Sequence, residues 1–224
     1  MKTLPIITID GPAGVGKSTL AKAMAREMQW PYLDTGAMFR TLALRLGPGA
    51  ESLPDAELAA RCEQIRFALE NSGDGVKLFC NGQCIGNEIR TEEVGKMASL
   101  IGTNPVVREC LKKAQRAMGE SSPLVAEGRD MGTVVFPQAR FKFFLDASPE
   151  VRAERRCREL LARGQSADVQ AIAEQIRERD ALDRNRPVAP LRAAEDSKII
   201  DTSHLSVDEV LAVMLSAVKA GGRE

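Results

Sequence analysis

The sequence predicts an α/β protein: a parallel sheet with helices on both faces, interrupted by one antiparallel insertion. Three observations lead there. Short apolar, β-branched runs alternate with stretches of helical length. A glycine-rich loop stands where the first strand would meet the first helix. One segment, Phe67 to Ile89, instead alternates around an Asn81-Gly82 pair, the signature of a hairpin rather than of a βαβ unit.

Taken in order, Ile6-Ile7-Thr8-Ile9 has the composition of a buried parallel strand. Lys17 to Met28 follows as a helix, with Leu20, Met24 and Met28 on one face. Residues 36–104 then form an inserted lobe that holds the antiparallel ribbon. Further strands are expected at Leu124-Val125-Ala126, Phe141 to Leu145 and Ile199-Ile200. Between the last two lie helices from Pro149 to Arg163, closed by Gly164, and from Asp168 to Arg184. Ser206 and Glu209 have capping-box spacing and start the last helix. No repeat or linker divides the 224 residues into independent domains.

Composition removes several classes of function. Lys plus Arg number 31 and Asp plus Glu 31, so the basic excess of a sequence-independent nucleic-acid binder is missing. No apolar run approaches the ~20 residues that span a bilayer, and Met1 to Asp10 is too short and polar for a signal peptide. The five cysteines form no C-x-x-C pair, and Cys80 and Cys84 have no second Cys or His pair to complete a zinc site. Reduced thiols in a cytoplasmic protein are expected. A single histidine, His204, leaves little room for histidine chemistry.

Gly11-Pro12-Ala13-Gly14-Val15-Gly16-Lys17-Ser18 matches G-x-x-x-x-G-K-[ST] at every fixed position, directly after a strand and before a helix. Polyphosphate needs several donors converging on one concave space. Glycines admit backbone N–H groups at close range, and the helix N-terminus adds partial positive charge. Gly11 to Ser18, with Thr19 in the same turn, are therefore the expected ATP-binding residues. Lys17 reaches the β- and γ-phosphates, and the Ser18 hydroxyl binds Mg²⁺. The D-x-x-G and N-K-x-D motifs of GTPases are absent. Phe143-Phe144-Leu145-Asp146 is only a partial echo of the hydrophobic strand that ends in Asp-Glu in motor and transport ATPases.

Arginines stand near element ends: Arg40 after Asp34-Thr35-Gly36, Arg129 after the strand at Leu124, Arg179 and Asp183 at i and i+4, and Arg184-Asn185-Arg186. These motifs, with Gly86-Asn87-Glu88-Ile89-Arg90-Thr91 and Glu127-Gly128-Arg129-Asp130-Met131-Gly132-Thr133, resemble bacterial cytidylate kinases along nearly the whole chain. The resemblance implies a P-loop NTPase-type three-layer fold. Its parts are a five-stranded parallel core (1–35, 105–147, 165–224), a nucleoside-monophosphate-binding lobe with a small antiparallel sheet (36–104), and a helical, Arg-rich lid (148–164).

Carried over by position, it implies that Arg40, Arg129 and Arg186 hold the acceptor phosphate. Ser99, Arg108 and Asp130 read cytosine, Arg179 and Asp183 hold the sugar, and Thr35 lines the site. Lys17, Arg129 and Arg186 are the implied catalytic residues. Arg152, Arg155 and Arg156 are the lid arginines, of which Arg155 is taken as the contact to ATP. Phe39 stands where many members have Tyr, and Glu127 where Asp is also common, which leaves its role toward Mg²⁺-bound water open.

A monophosphate acceptor is already largely dianionic at neutral pH, so no general base is required. The problem is to bring two polyanions together, and unit charges 4 Å apart repel by about 4 kcal/mol at an effective dielectric of 20. Arginines offset that repulsion. The expected reaction is transfer of the γ-phosphate of ATP to CMP or dCMP with Mg²⁺. The expected protein is a cytoplasmic monomer with small-molecule partners, no nucleic acid and no membrane. A kinase for UMP, AMP or shikimate, and an ATP-dependent switch, are the competing readings.

Overall fold

The computed structural model describes residues 4–72, 75–162 and 164–221. The chain runs β1 (Ile6–Asp10), α1 (Lys17–Met28), β2 (Tyr32–Asp34), α2 (Thr35–Leu46), α3 (Asp55–Glu63), β3 (Phe67–Ser72), β4 (Gly75–Cys80), β5 (Gln83–Cys84), α4 (Glu92–Ile101) and α5 (Pro105–Ser121). It continues through β6 (Leu124–Gly128), a π-helical turn (Met131–Val135), β7 (Phe141–Asp146), α6 (Pro149–Ala162), α7 (Val169–Asn185), β8 (Lys198–Asp201) and α8 (Val207–Gly221).

The main sheet has five strands in the order β2-β6-β1-β7-β8, and every neighbouring pair is parallel. Alternation along the strands builds a core on each face. Ile7, Ile9 and Val125 pack with Leu20 and Met24 of α1 and Met214 of α8. Leu124 and Ala126 point the other way, into a cluster with Met38 and Leu42 of α2, Leu58 of α3, Ile101 of α4 and Leu111 of α5. That second cluster is continuous from the sheet into residues 36–104, so the insertion shares its core with the sheet.

The expected hairpin is present. Asn81 (φ 49°) and Gly82 (φ 74°) both take left-handed conformations in the two-residue turn joining β4 to β5. A longer β3–β4 pairing completes a three-stranded antiparallel sheet. The capping box also forms: Glu209 accepts from the Ser206 N–H at 2.8 Å, and the Ser206 hydroxyl accepts from the Glu209 N–H at 3.3 Å. The helix expected to reach Arg163 runs to Ala162, and residue 163 lies outside the described residues. All five cysteines are free. Among the described residues, no helix is long and apolar enough to cross a membrane.

Candidate active site

All five parallel strands deliver their carboxyl ends to one edge of the sheet, where open α/β folds bind ligands. An acid sits at or next to each end: Asp10, Asp34, Glu127, Asp146 and Asp201. Past Asp10 the chain turns through Gly11 at φ 148°. A Cβ there would lie 2.1 Å from the Leu145 carbonyl oxygen, so the loop can pass β7 only with glycine at this position. Lys17 is buried at the start of α1 and donates to the Pro12 carbonyl at 2.5 Å. Burial, and then nearby Arg129, hold its ammonium well below the usual lysine range. Ser18 and Thr19 are exposed in the same turn.

The Ser18 hydroxyl is within hydrogen-bonding reach of Tyr32 and Glu127. Tyr32 donates its hydroxyl to the Glu127 carboxylate, and Thr35 donates to the Glu127 carbonyl at 2.6 Å. Burial, reinforced by Asp34, raises the Glu127 carboxyl above its ordinary range. Asp10 accepts from the N–H groups of Met131 (2.9 Å) and Gly132 (2.8 Å), and burial pushes its carboxyl up to about 6.

Beside the loop, three arginines and two aspartates from three segments form one alternating chain. Arg108 of α5 donates to Asp130 at 2.5 Å, and its Nη1 donates to the Gly102 carbonyl at 3.0 Å. Arg186 lies 3.7 Å from the other Asp130 oxygen and 3.6 Å from Asp183. Arg129 donates Nε–H to Asp183 at 2.8 Å. The Arg108 guanidinium lies over the Phe39 ring, 5.4 Å from its centroid, and both line a cavity of about 240 Å³ that Asp130 also lines.

Positive charge is crowded here. Burial and then Arg129 bring Arg179 down to about 10; burial and then Arg108 bring Arg186 down to about 10. Arg40 is also lowered, first by burial. Burial would raise the Asp183 carboxyl, but Arg129, Arg179 and Arg186 together outweigh it and the net direction is down. The Nε of Arg179 and the Nη2 of Arg186 are buried donors without a hydrogen-bond acceptor among the described residues. Donors of that kind, next to lowered arginine pKa values, are the complement of an anion.

The sequence profile of the cytidylate kinase family matches residues 7–220. The chain belongs to that family. A cytidylate kinase from Nitratidesulfovibrio vulgaris is 57% identical over 217 residues, covering 97% of this chain and 94% of its own. One from Oleidesulfovibrio alaskensis is 53% identical over 214 residues, covering 96% and 98%. Among solved structures, an uncharacterized protein from Eubacterium ventriosum has a TM-score of 0.52 at 13% identity, covering 98% of this chain and 99% of its own; that likeness speaks to the fold alone. This member of the cytidylate kinase family is an ATP-dependent phosphotransferase.

Within this family member, Arg108, Asp130, Arg129, Arg179, Asp183 and Arg186 lie close together, and Thr35 borders the phosphate loop through Glu127. Arg40 donates to the carbonyls of Ile89 (3.2 Å) and Thr91 (3.3 Å) on the rim. Ser99 is one turn before Gly102, but its hydroxyl donates back to Gly95 at 3.0 Å and it does not line the cavity. Arg155 donates to the Thr202 hydroxyl (3.1 Å) and carbonyl (2.5 Å), and Arg156 pairs with Glu159 at 3.2 Å. Arg152 is buried among protein atoms. Sequence reasoning gave no role to Asp10, Tyr32 or Asp180. An acid at the end of the strand entering the loop was a visible signal for Asp10; the partners of Tyr32 and Asp180 are 95 and 28 residues away, and no local pattern marks them.

Proposed function

We propose that the protein transfers the γ-phosphate of ATP to CMP or dCMP, giving ADP and CDP or dCDP. The observation that carries this reading is the arginine–aspartate chain from Arg108 to Arg129. One end lines the cavity of about 240 Å³, whose wall mixes Phe39, Val134 and Val135 with charged groups, and the other lies within electrostatic reach of Lys17.

At the cavity end, cytosine presents a donor at N4 and acceptors at N3 and O2. The Asp130 carboxylate suits the first and the Arg108 guanidinium the others, with Phe39 offering an aromatic face. Uracil reverses the N3 and O4 partners and would leave buried groups unpaired. In the middle, Arg179 and Asp183 face the sugar. Arg129 at the loop end, Arg186 further along the chain and Arg40 on the rim hold the acceptor phosphate, with the buried donors of Arg186 and Arg179 available to anionic or hydroxyl oxygens. These arginines lower the repulsion between acceptor and donor phosphates and orient the attacking oxygen. Lys17 and the N–H groups of residues 11–18 neutralise charge on the transferred group.

Hard oxygen donors at the loop fit Mg²⁺, which takes one or two protein oxygens and completes its shell with phosphates and water. Ser18 would hold the ion, with Glu127 beside it. When bound, the ion screens the phosphate oxygens of ATP. The proposal includes a closing lid at 148–164, an acceptor-binding lobe at 36–104, and a cytoplasmic monomer. Five free cysteines agree with a cytoplasmic location.

The test is ADP release from MgATP with CMP, dCMP, UMP, AMP, GMP or no acceptor. Fast turnover confined mainly to CMP and dCMP is expected. Equal turnover with UMP would remove Arg108 and Asp130 as base readers, and acceptor-independent ADP release would overturn the reading.

A further inference from the structure

Arg152 leads the fully buried side chains in size, at 1% exposure, although it opens the Arg-rich segment expected to act as a mobile lid. Its guanidinium joins three parts of the chain. Nε donates to the Ala147 carbonyl just beyond β7 at 2.9 Å. Nη1 donates to the Ala13 carbonyl of the phosphate loop at 3.0 Å and to Asp180 Oδ1 at 3.1 Å. Nη2 donates to Asp180 Oδ2 at 2.5 Å. Asp180 lies on α7 between Arg179 and Asp183, and is itself 8% exposed.

We infer that Arg152 and Asp180 are a positioning pair that fixes the phosphate loop relative to the acceptor-binding helix α7, neither of them touching a substrate. The inference rests on the proposal that residues 11–18 hold ATP and that α7 faces the acceptor. Two physical arguments carry it. A trans peptide is planar, with its C=O and N–H on opposite sides. Holding the Ala13 carbonyl toward α6 therefore directs the Gly14 N–H away from α6 and limits rotation of that peptide, one of those that form the loop. The second argument concerns stability. A buried ion pair seldom stabilises a fold more than apolar side chains of similar volume would. An apolar pair could fill the same space, but it could not hold the Ala13 carbonyl or tie it to α7. Rigid alignment of donor and acceptor is what phosphoryl transfer requires, and small misplacement is costly.

The decisive comparison is the wild type against the double variant Arg152→Met/Asp180→Leu, with thermal unfolding, MgATP affinity by calorimetry, and kcat and KM for ATP and CMP. The expected double variant unfolds near the wild-type temperature, loses about a hundredfold in kcat, and binds MgATP about tenfold more weakly, with a smaller change in the KM for CMP. Asp180→Glu, which keeps a bidentate acceptor, should recover most of the kcat. A double variant with wild-type turnover and MgATP affinity would overturn the inference.

If the double variant fails to fold, Asp180→Asn serves instead. It keeps the volume and one acceptor oxygen, and about a tenfold loss in kcat is expected; wild-type kcat there would also overturn the pair. Wild-type protein that transfers nothing to CMP would count against the proposed acceptor, while the MgATP affinities would still decide the role of the pair.

Discussion

The glycine-rich loop and the proposed acceptor pocket are both assigned to phosphate in the proposed function, but they are built differently. Gly11 to Ser18 is eight contiguous residues whose recognition elements are backbone N–H groups, one lysine and a helix N-terminus. The acceptor pocket draws on α2, α5, the segment after β6, and α7, and nearly all of its chemistry is in side chains that hold one another. Backbone recognition is local and brittle, since one Cβ in the wrong place displaces everything. A side-chain network is distributed and degrades by steps.

The strongest way to break that contrast is Gly11→Ala. The new Cβ would lie 2.1 Å from the Leu145 carbonyl oxygen, and alanine disfavours φ 148°. Moving the loop off β7 would disturb the middle of the sheet, so a loss of more than about 4 kcal/mol is expected. Urea unfolding of the purified variant, or its failure to accumulate as soluble protein, is the readout. A variant with near-native stability would mean that the loop yields locally and is not brittle.

In the pocket the corresponding substitution is Asp130→Asn. Asp130 pairs with Arg108 and faces Arg186, so the amide leaves two buried guanidinium groups short of a counter-charge. In the proposed reading it also replaces the acceptor for the cytosine amino group with a group that can donate. The kcat/KM for CMP is expected to fall about a hundredfold and the preference over UMP to narrow, while the protein remains folded. A uniform loss for CMP and UMP would assign Asp130 to shaping the pocket and leave base selection elsewhere.

The same contrast explains what the sequence disclosed. The loop was legible because its chemistry is contiguous: the glycine spacing, Lys17 and Ser18 can be recognised without knowing any long-range contact. The sheet was legible from β-branched runs, and the β4–β5 hairpin from Asn81-Gly82. The pocket residues were named by resemblance to a family. Composition alone gave no reason to join Arg129 to Asp183, 54 residues away, or Arg108 to Asp130. Arg152 shows why: on the sequence it is one of several arginines on a polar helix, and only the packing of α6 against α7 and the loop turns it inward.

Asp10 joins the two regions, ending β1 at the mouth of the loop and accepting N–H bonds from the turn after β6. Burial raises its pKa from 3.8 to about 6, so the folded state binds more protons than the unfolded state between roughly pH 4 and 6. The stability this contributes is fully present below about pH 4 and is lost as pH rises through 6, by up to about 3 kcal/mol. Urea unfolding of wild type and Asp10→Asn from pH 4 to 7 isolates it. The advantage of wild type should shrink as pH rises; a constant gap would mean that Asp10 is already ionised at pH 4.

The smallest expected effect sharpens the boundary between the regions. Glu127 faces both: its carboxylate accepts from Tyr32 and is within reach of Ser18, while its carbonyl accepts from Thr35 at the start of α2. Tyr32→Phe removes one donor to a buried carboxylate and leaves the ring in place. A charge-assisted hydrogen bond contributes about 1.5–3 kcal/mol when fully buried. Tyr32 is only partly buried and Ser18 can compensate, so about 1 kcal/mol is expected. If Glu127 acts on the loop side, the loss should appear in kcat and in the KM for ATP, with the KM for CMP unchanged. A rise in the KM for CMP alone would place Glu127 in the acceptor pocket, acting through Thr35, and would move the boundary between backbone and side-chain recognition one strand toward the loop.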